Sequence, residues 1–303
     1  MTVRAKALAS LAAVCFFWGT TYIAIKVGVR EMPPLMFSGV RFFLAGLLLS
    51  AFCLATGRRF PTARDRGPLA FAAVLMMCVA NGVLAWALQR VPSGVASLLV
   101  ALTPLWLVVL ASAGGDRVPG RGWAGVAVGL AGMAVLLWPD LRSAQLKPGV
   151  ALGAAALTCS TGVWAWSSLY QKRRPHAADP FAAVAFQKLV GGVAAVLLGV
   201  LFGEAPRWHP QADGLWALLY LTFAGSVVGY TAYLYALAHL PTERVAMYAY
   251  VNPLVAVTLG ILFGGEAADP HLLAGAPVVL VGVWLAGTAK TAQAEAATVE
   301  SSL

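Results

Sequence analysis

Residues 93–113 read SGVASLLVALTPLWLVVLASA, twenty-one residues with no charge and a single proline, Pro104, near the middle. A helix rising 1.5 Å per residue covers about 30 Å over that length, the thickness of a bilayer's hydrocarbon core. The stretch is a membrane span, and similar runs recur on both sides of it. Ten are expected, at 7–28, 34–56, 67–89, 93–113, 121–138, 148–170, 180–203, 213–239, 241–264 and 268–289. The chain as a whole agrees. Of its 303 residues 60% are hydrophobic and 11% charged, with a mean hydropathy of +0.79, whereas roughly a quarter of a soluble domain is charged.

The net charge of +9 would suggest nucleic acid on a soluble protein. In a membrane protein the placement of the charges matters more than their sum. With the N-terminus inside, thirteen basic residues fall on the cytoplasmic side: Arg4, Lys6, Arg58, Arg59, Arg64, Arg66, Arg117, Arg121, Lys172, Arg173, Arg174, Arg244 and Lys290. Six fall opposite, namely Lys26, Arg30, Arg90, Arg142, Lys147 and Arg207. Basic loops stay inside, so both termini are expected in the cytoplasm. Trp123, Trp138, Trp208 and Trp216 stand near span ends, where indole rings anchor at headgroups. Arg4 and Lys6 before an apolar run raise the question of a secretory signal, but the run continues to Val29 without a convincing small-residue cleavage site. Cys15, Cys53, Cys78 and Cys159 lie within apolar segments, unpaired in any metal-like spacing, and read as buried thiols; no metal or cofactor is expected.

The chain also repeats itself. At an offset of 146 residues Trp18 pairs with Trp164, Lys26 with Lys172, Pro34 with Pro180 and Gly46 with Gly192. At 149, Thr103-Pro104-Leu105 pairs with Asn252-Pro253-Leu254; at 150, Gly114-Gly115-Asp116 pairs with Gly264-Gly265-Glu266. Two halves follow, 1–140 and 148–289, with a tail at 290–303 taken as cytoplasmic. Five spans is an odd number, so the second half enters the membrane from the opposite face. The expected fold is all-α and integral to the membrane, ten transmembrane helices in two inverted five-helix repeats.

Phe17-Trp18-Gly19-Thr20-Thr21-Tyr22, Pro33-Pro34 followed by Arg41-Phe42, and the Pro104 and Glu266 regions, taken in order, resemble the EamA-domain branch of the drug/metabolite transporter superfamily over nearly the whole chain. The resemblance implies a ten-helix carrier with a central cavity between its halves, often an exporter of amino acids or other small metabolites.

Within the spans, the matched prolines are the most informative feature. Pro104 and Pro253 each remove a backbone donor and crowd the carbonyl four residues earlier, at Val100 and Ala249. Paired interruptions in the two halves point to a transport path, with hinges at Pro104 and Pro253; a passive packing kink is the competing reading. Polar stripes form a second signal. Trp18, Thr21 and Tyr22 share a face of span 1, and Trp164, Ser167, Ser168 and Gln171 repeat it in span 6. Ser226, Tyr230 and Tyr233 share a face of span 8, Tyr248 and Asn252 lie a turn apart in span 9, and Asn81 lies in span 3. Such groups avoid lipid, so these faces should turn inward, either to line a cavity or to glue helices together. The substrate-binding candidates are Trp18, Thr21, Tyr22, Arg41, Asn81, Trp164, Ser167, Tyr230, Tyr233, Tyr248 and Asn252. Arg41 and Lys188 are the only basic residues deep in a span; Arg41 is assigned inward, whereas Lys188 is equally readable as snorkelling.

None of the twelve acidic residues lies mid-span, which argues against a proton-coupled multidrug exporter, the alternative carrier. Glu266 and its counterpart Asp116 sit at helix ends, in capping or loop roles. An intramembrane enzyme is disfavoured: there is no HExxH, no paired mid-span Asp and no Ser beside an in-span His. A non-transporting scaffold would not need matched prolines. A small-molecule substrate and the lipid bilayer are the expected partners, with no nucleic acid; monomer and homodimer both stay open.

Overall fold

The computed structural model describes residues 2–115, 118–142, 148–174, 176–240, 245 and 247–300, without the side chains at 137, 139–142, 148 and 287–300. Asp116, Arg117, Lys147, Glu243 and Arg244 therefore lie outside the described residues, as do the side chains of Asp140, Arg142 and Lys290 and those of the tail. Among the described residues every regular element is helical: α1 (Val3–Glu31), α2 (Pro34–Ala55), α3 (Ala63–Leu88), α4 (Ser93–Ala113), α5 (Gly120–Arg142), α6 (Pro148–Lys172), α7 (Pro180–Leu201), α8 (Ala212–His239), α9 (Tyr248–Phe263) and α10 (Pro270–Glu300), with a 3₁₀ turn at Ala205–Arg207. Seven of these, α1 to α4 and α6 to α8, are long and apolar enough to cross a membrane, and the apolar parts of α5, α9 and α10 are shorter. Large apolar side chains face outward, among them Leu54, Leu201, Trp216 and Phe263, each more than 70% exposed, as a lipid-facing surface requires.

Local chemistry sets where the helices begin and stop. Pro34 and Pro180 occupy the first turn of α2 and α7, where a missing N–H costs nothing. Asp179 caps α7 by accepting from Phe181 N at 2.9 Å. The helices α2, α4, α7 and α9 each end two residues before a glycine of positive φ: Gly57 (64°), Gly115 (90°), Gly203 (73°) and Gly265 (66°). Only a residue without Cβ adopts that turn freely, so the same stop signal stands at matching places in both halves.

The deepest packing runs along two seams, α2 against α7 and α5 against α10. A methyl added to Gly46 would lie 2.7 Å from Leu189 N, and one on Gly192 2.5 Å from Phe43 N. The offset that relates Gly46 to Gly192 also relates Phe43 to Leu189. In the other seam, Gly125 meets Ala286 N at 2.5 Å and Gly275 meets Leu136 N at 2.9 Å, again exchanged by one offset. The remaining neighbours follow suit: α1 packs on α8 and α9, and α6 packs on α3 and α4.

Because backbone rather than a flexible side chain faces Gly192, Gly192→Val should destabilise the protein by at least about 1–3 kcal/mol, the usual range for overpacking. Gly67→Ala, with nothing within 4 Å, should be neutral. Thermal unfolding of detergent-purified protein separates the two, and equal midpoints would show that the α2–α7 seam is loose.

Candidate functional site

Two helices widen into π geometry, α3 at Val74–Ala80 and α8 at Leu221–Val228. Nothing in the sequence reading pointed to them, and they occupy matching places in the two halves. A π segment breaks the regular ladder, and two candidate side chains bond carbonyls within these segments. Asn81 Nδ2 donates to Met76 O at 2.8 Å, and Trp18 Nε1 donates to Gly225 O at 3.1 Å.

Trp18 is thereby fixed within an aromatic cluster. Its ring lies 5.2 Å from Tyr233 and 5.0 Å, edge-on, from Tyr248; Tyr233 lies 5.9 Å from Tyr248 and 6.0 Å from Tyr230. Four of the candidates, from α1, α8 and α9, thus form one aromatic wall. A second group faces α2 and α7. The Arg41 guanidinium sits 4.1 Å above the Phe42 ring and reaches Asn81 Oδ1 at 3.4 Å. The Lys188 ammonium sits 4.9 Å from the same ring and 5.9 Å from Tyr230, which joins this group to the aromatic wall. Trp164 packs against Phe42, Met76 and Met77. Gln187, the repeat counterpart of Arg41, donates to Gln171 Oε1 at 2.6 Å.

Other candidates stand apart from these walls. Ser167 is fully buried and donates to Ala72 O at 3.3 Å, fastening α6 to α3. Thr21 bonds the carbonyl of Trp18 in its own helix at 2.6 Å. Tyr22 belongs to the large core with Ile25 and Val29. Asn252, in the amide orientation that satisfies its neighbours, donates to Tyr248 O and Cys15 O at 3.1 Å each, tying α9 to α1. Lys188, whose sequence position suits snorkelling and function equally, is 5% exposed and turns to Phe42 and Tyr230. Trp208 likewise packs on the main core, while Trp123, Trp138 and Trp216 are exposed. A cavity of about 380 Å³ opens near the start of α3 and the end of α6, lined by Arg64, Asp65, Tyr170, Gln171, Arg174 and His176, and Gln171 connects it to Gln187.

The two prolines differ. α4 is interrupted at Leu102, and the freed Val100 carbonyl accepts from Thr103 Oγ1 at 2.6 Å. α9 continues through Pro253.

At the face where α1, α7 and α9 end, three glutamates cap helices of the opposite half. Glu204 accepts from Met36 N at 2.9 Å at the start of α2, Glu31 from Gly214 N at 2.8 Å at the start of α8, and Glu266 from Ser93 N at 2.6 Å and Gly94 N at 3.2 Å at the start of α4. Glu204 and Glu266 each directly follow a positive-φ glycine, so the helix stop itself aims the carboxylate sideways. Glu266 also holds Lys26 Nζ at 2.7 Å. Its own burial would raise the carboxyl's pKa, but the bonds from Lys26, Ser93 and Gly94 outweigh that and hold it below the ordinary value. The capping role read for Glu266 is therefore exercised on a neighbouring helix. At the opposite face Arg58 Nη1 bonds Asp179 Oδ2 at 2.9 Å.

Comparison with known proteins places these features in context. The model of the EamA-like transporter family matches twice, at residues 5–138 and 150–288. An inner membrane transporter of Escherichia coli K12, YedA, described as uncharacterized, is 36% identical over 85% of this chain and 82% of its own. A protein of Salmonella typhimurium LT2 named "Probable amino-acid metabolite efflux pump" is 26% identical over 90% of this chain and 91% of its own. YoaV of Bacillus subtilis, named an uncharacterized transporter, is 21% identical over 92% of this chain and 96% of its own. A solved crystal structure superposes with a TM-score of 0.66 at 21% identity, covering 95% of this chain and 98% of that one, and supports the fold alone. These are the names of transporters, not of enzymes.

Proposed function

The chain belongs to the EamA-like transporter family, and from that premise we propose that it is a ten-span secondary carrier of two inverted repeats, exporting a small metabolite such as an amino acid by alternating access through the chamber between its halves. The observation that carries this reading is that the aromatic wall and the cation group beside it draw their side chains from both halves, where such a chamber would lie. Trp18, Arg41 and Asn81 come from one half and Trp164, Lys188, Tyr230, Tyr233 and Tyr248 from the other, so relative movement of the halves opens or closes it. Seams exchanged by the repeat offsets supply the symmetry that such movement uses. With basic residues thirteen to six in favour of one side, both termini face the cytoplasm of a bacterial inner membrane, and the glutamate caps then lie at the outer face. The amino-acid class is supported by the name of the Salmonella relative. A multidrug exporter has less support, because among the described residues no carboxylate enters the chamber to meet a cation.

The test is uptake of radiolabelled metabolites, screened in mixtures, into vesicles containing the purified protein. Saturable accumulation of a subset above empty vesicles is expected, and its absence for every metabolite class would overturn the carrier. In the same vesicles, cysteines replacing Thr62 and Pro210 should label from the inner and outer sides respectively; the reverse pattern would invert the topology.

A further inference from the structure

Arg41 and Lys188 are buried cations without a counter-charge. They are 7% and 5% exposed, and among the described residues no carboxylate lies within ion-pair distance of either. Arg41 Nε has no hydrogen-bond partner, and the one hydrogen bond its guanidinium donates among the described residues, to Asn81, is long at 3.4 Å. Both side chains are buried against Phe42 inside the bundle rather than extended along an exposed helix face, which is not the arrangement of snorkelling. A guanidinium carries five donors and an ammonium three, and nearly all of that capacity goes unused here. Two cations share the single ring of Phe42, from helices α2 and α7 that belong to opposite halves. Ring faces attract cations, but far more weakly than desolvation penalises them, and the like charges repel each other. A pair left in this condition is complete only when an anion joins it.

We infer that Arg41 and Lys188 form a carboxylate-binding subsite that holds the acidic end of the substrate, with its apolar body against Phe42, Trp164 and Tyr230. The inference rests on the carrier reading for its substrate and adds the chemical group recognised. A planar guanidinium matches a carboxylate's two oxygens, and the ammonium supplies a second charge-assisted bond from across the seam. Carboxylate binding would then draw α2 and α7 onto one ligand. Gln187, the neighbour of Lys188 in the chain, bonds Gln171, which lines the cavity near the end of α6, and this link makes that cavity the entry side of the subsite.

The probes are sodium benzoate and its neutral isostere benzamide, tested on the full-length protein in an uncharged detergent at fixed ionic strength. Benzoate should raise the thermal midpoint saturably and benzamide should not. Arg41→Met and Lys188→Met should each weaken the apparent benzoate affinity at least tenfold, and without ligand Lys188→Met should melt no lower than the native chain because an uncompensated charge is gone. Lys188→Arg, which keeps the charge, should retain benzoate affinity within about threefold and serves if the methionine variants do not fold. Benzoate and benzamide acting alike, or benzoate affinity indifferent to all three substitutions, would overturn the subsite. Transport in vesicles that ignores these substitutions would leave the carrier standing and remove the subsite. Benzoate binding of the expected pattern with no transport of any metabolite would support the subsite and remove the carrier.

Discussion

Glu266→Ala should lower the unfolding free energy by about 3–5 kcal/mol, the penalty for removing one member of a buried ion pair, and should open the outer face of the carrier. The carboxylate's side chain is 8% exposed and that of Lys26 19%, so water screens little of the interaction. Alanine leaves an ammonium without its partner and two N–H groups at the start of α4 without their cap. The bonds lost join α9 to α1 and α4, which is to say one half to the other. A cysteine replacing Tyr233, with the four native cysteines removed, should therefore label faster from outside in the Glu266→Ala background. Glu266→Gln, which keeps an acceptor oxygen for Ser93 N, should fall between the two. The dependence on pH has a definite sign. The folded carboxyl lies below its ordinary value, so its contribution is complete above the usual carboxylate range and drains away as pH falls through the lowered value. Unchanged stability and unchanged labelling in Glu266→Ala would show that the outer face is held elsewhere.

What the sequence makes legible follows from which forces are local. Membrane spans are visible because lipid excludes charge over a whole helix length, and 93–113 declares itself without any neighbour. The repeat is visible because proline and glycine mark backbone geometry directly: Pro34 and Pro180 open helices, and Gly115 and Gly265 close them. The π segments at 74–80 and 221–228 are invisible, since they contain no proline and their carbonyls are satisfied by side chains as distant as Trp18. Distance also explains the division among the polar candidates. Helical spacing places Ser167 and Trp164 on one stripe, but a stripe about 100° wide meets more than one neighbour, and Ser167 is spent on the Ala72 carbonyl of α3 while Trp164 also reaches Phe42 of α2. Lys188 illustrates the limit from the other side. Its depth in the span is plain, but whether it reaches an interface depends on Phe42 and Tyr230, which only packing brings to it.

Pro104→Ala and Pro253→Ala should shift the carrier in opposite directions, each by up to about 3 kcal/mol, the helix-interior difference between proline and alanine, or roughly a hundredfold in the conformational equilibrium. In this structure α4 is broken at Leu102 while α9 runs unbroken through Pro253, and the glutamate caps join the halves at the face that the proposed orientation puts outside. If the halves are inverted repeats that exchange roles, the opposite conformation has α9 broken and α4 continuous. Alanine at 104 restores the N–H toward Val100 O and removes the ring clash, favouring the continuous form of α4. That form belongs to the outward-open state. Alanine at 253 strengthens a helix that is already continuous here and so favours the outer-closed state. Outside labelling of a cysteine at position 233 should accordingly rise in Pro104→Ala and fall in Pro253→Ala, while vesicle transport slows in both because each traps one end of the cycle. Labelling shifted the same way in both variants would deny the exchange of roles, and native labelling with native transport in both would reduce the two prolines to packing kinks.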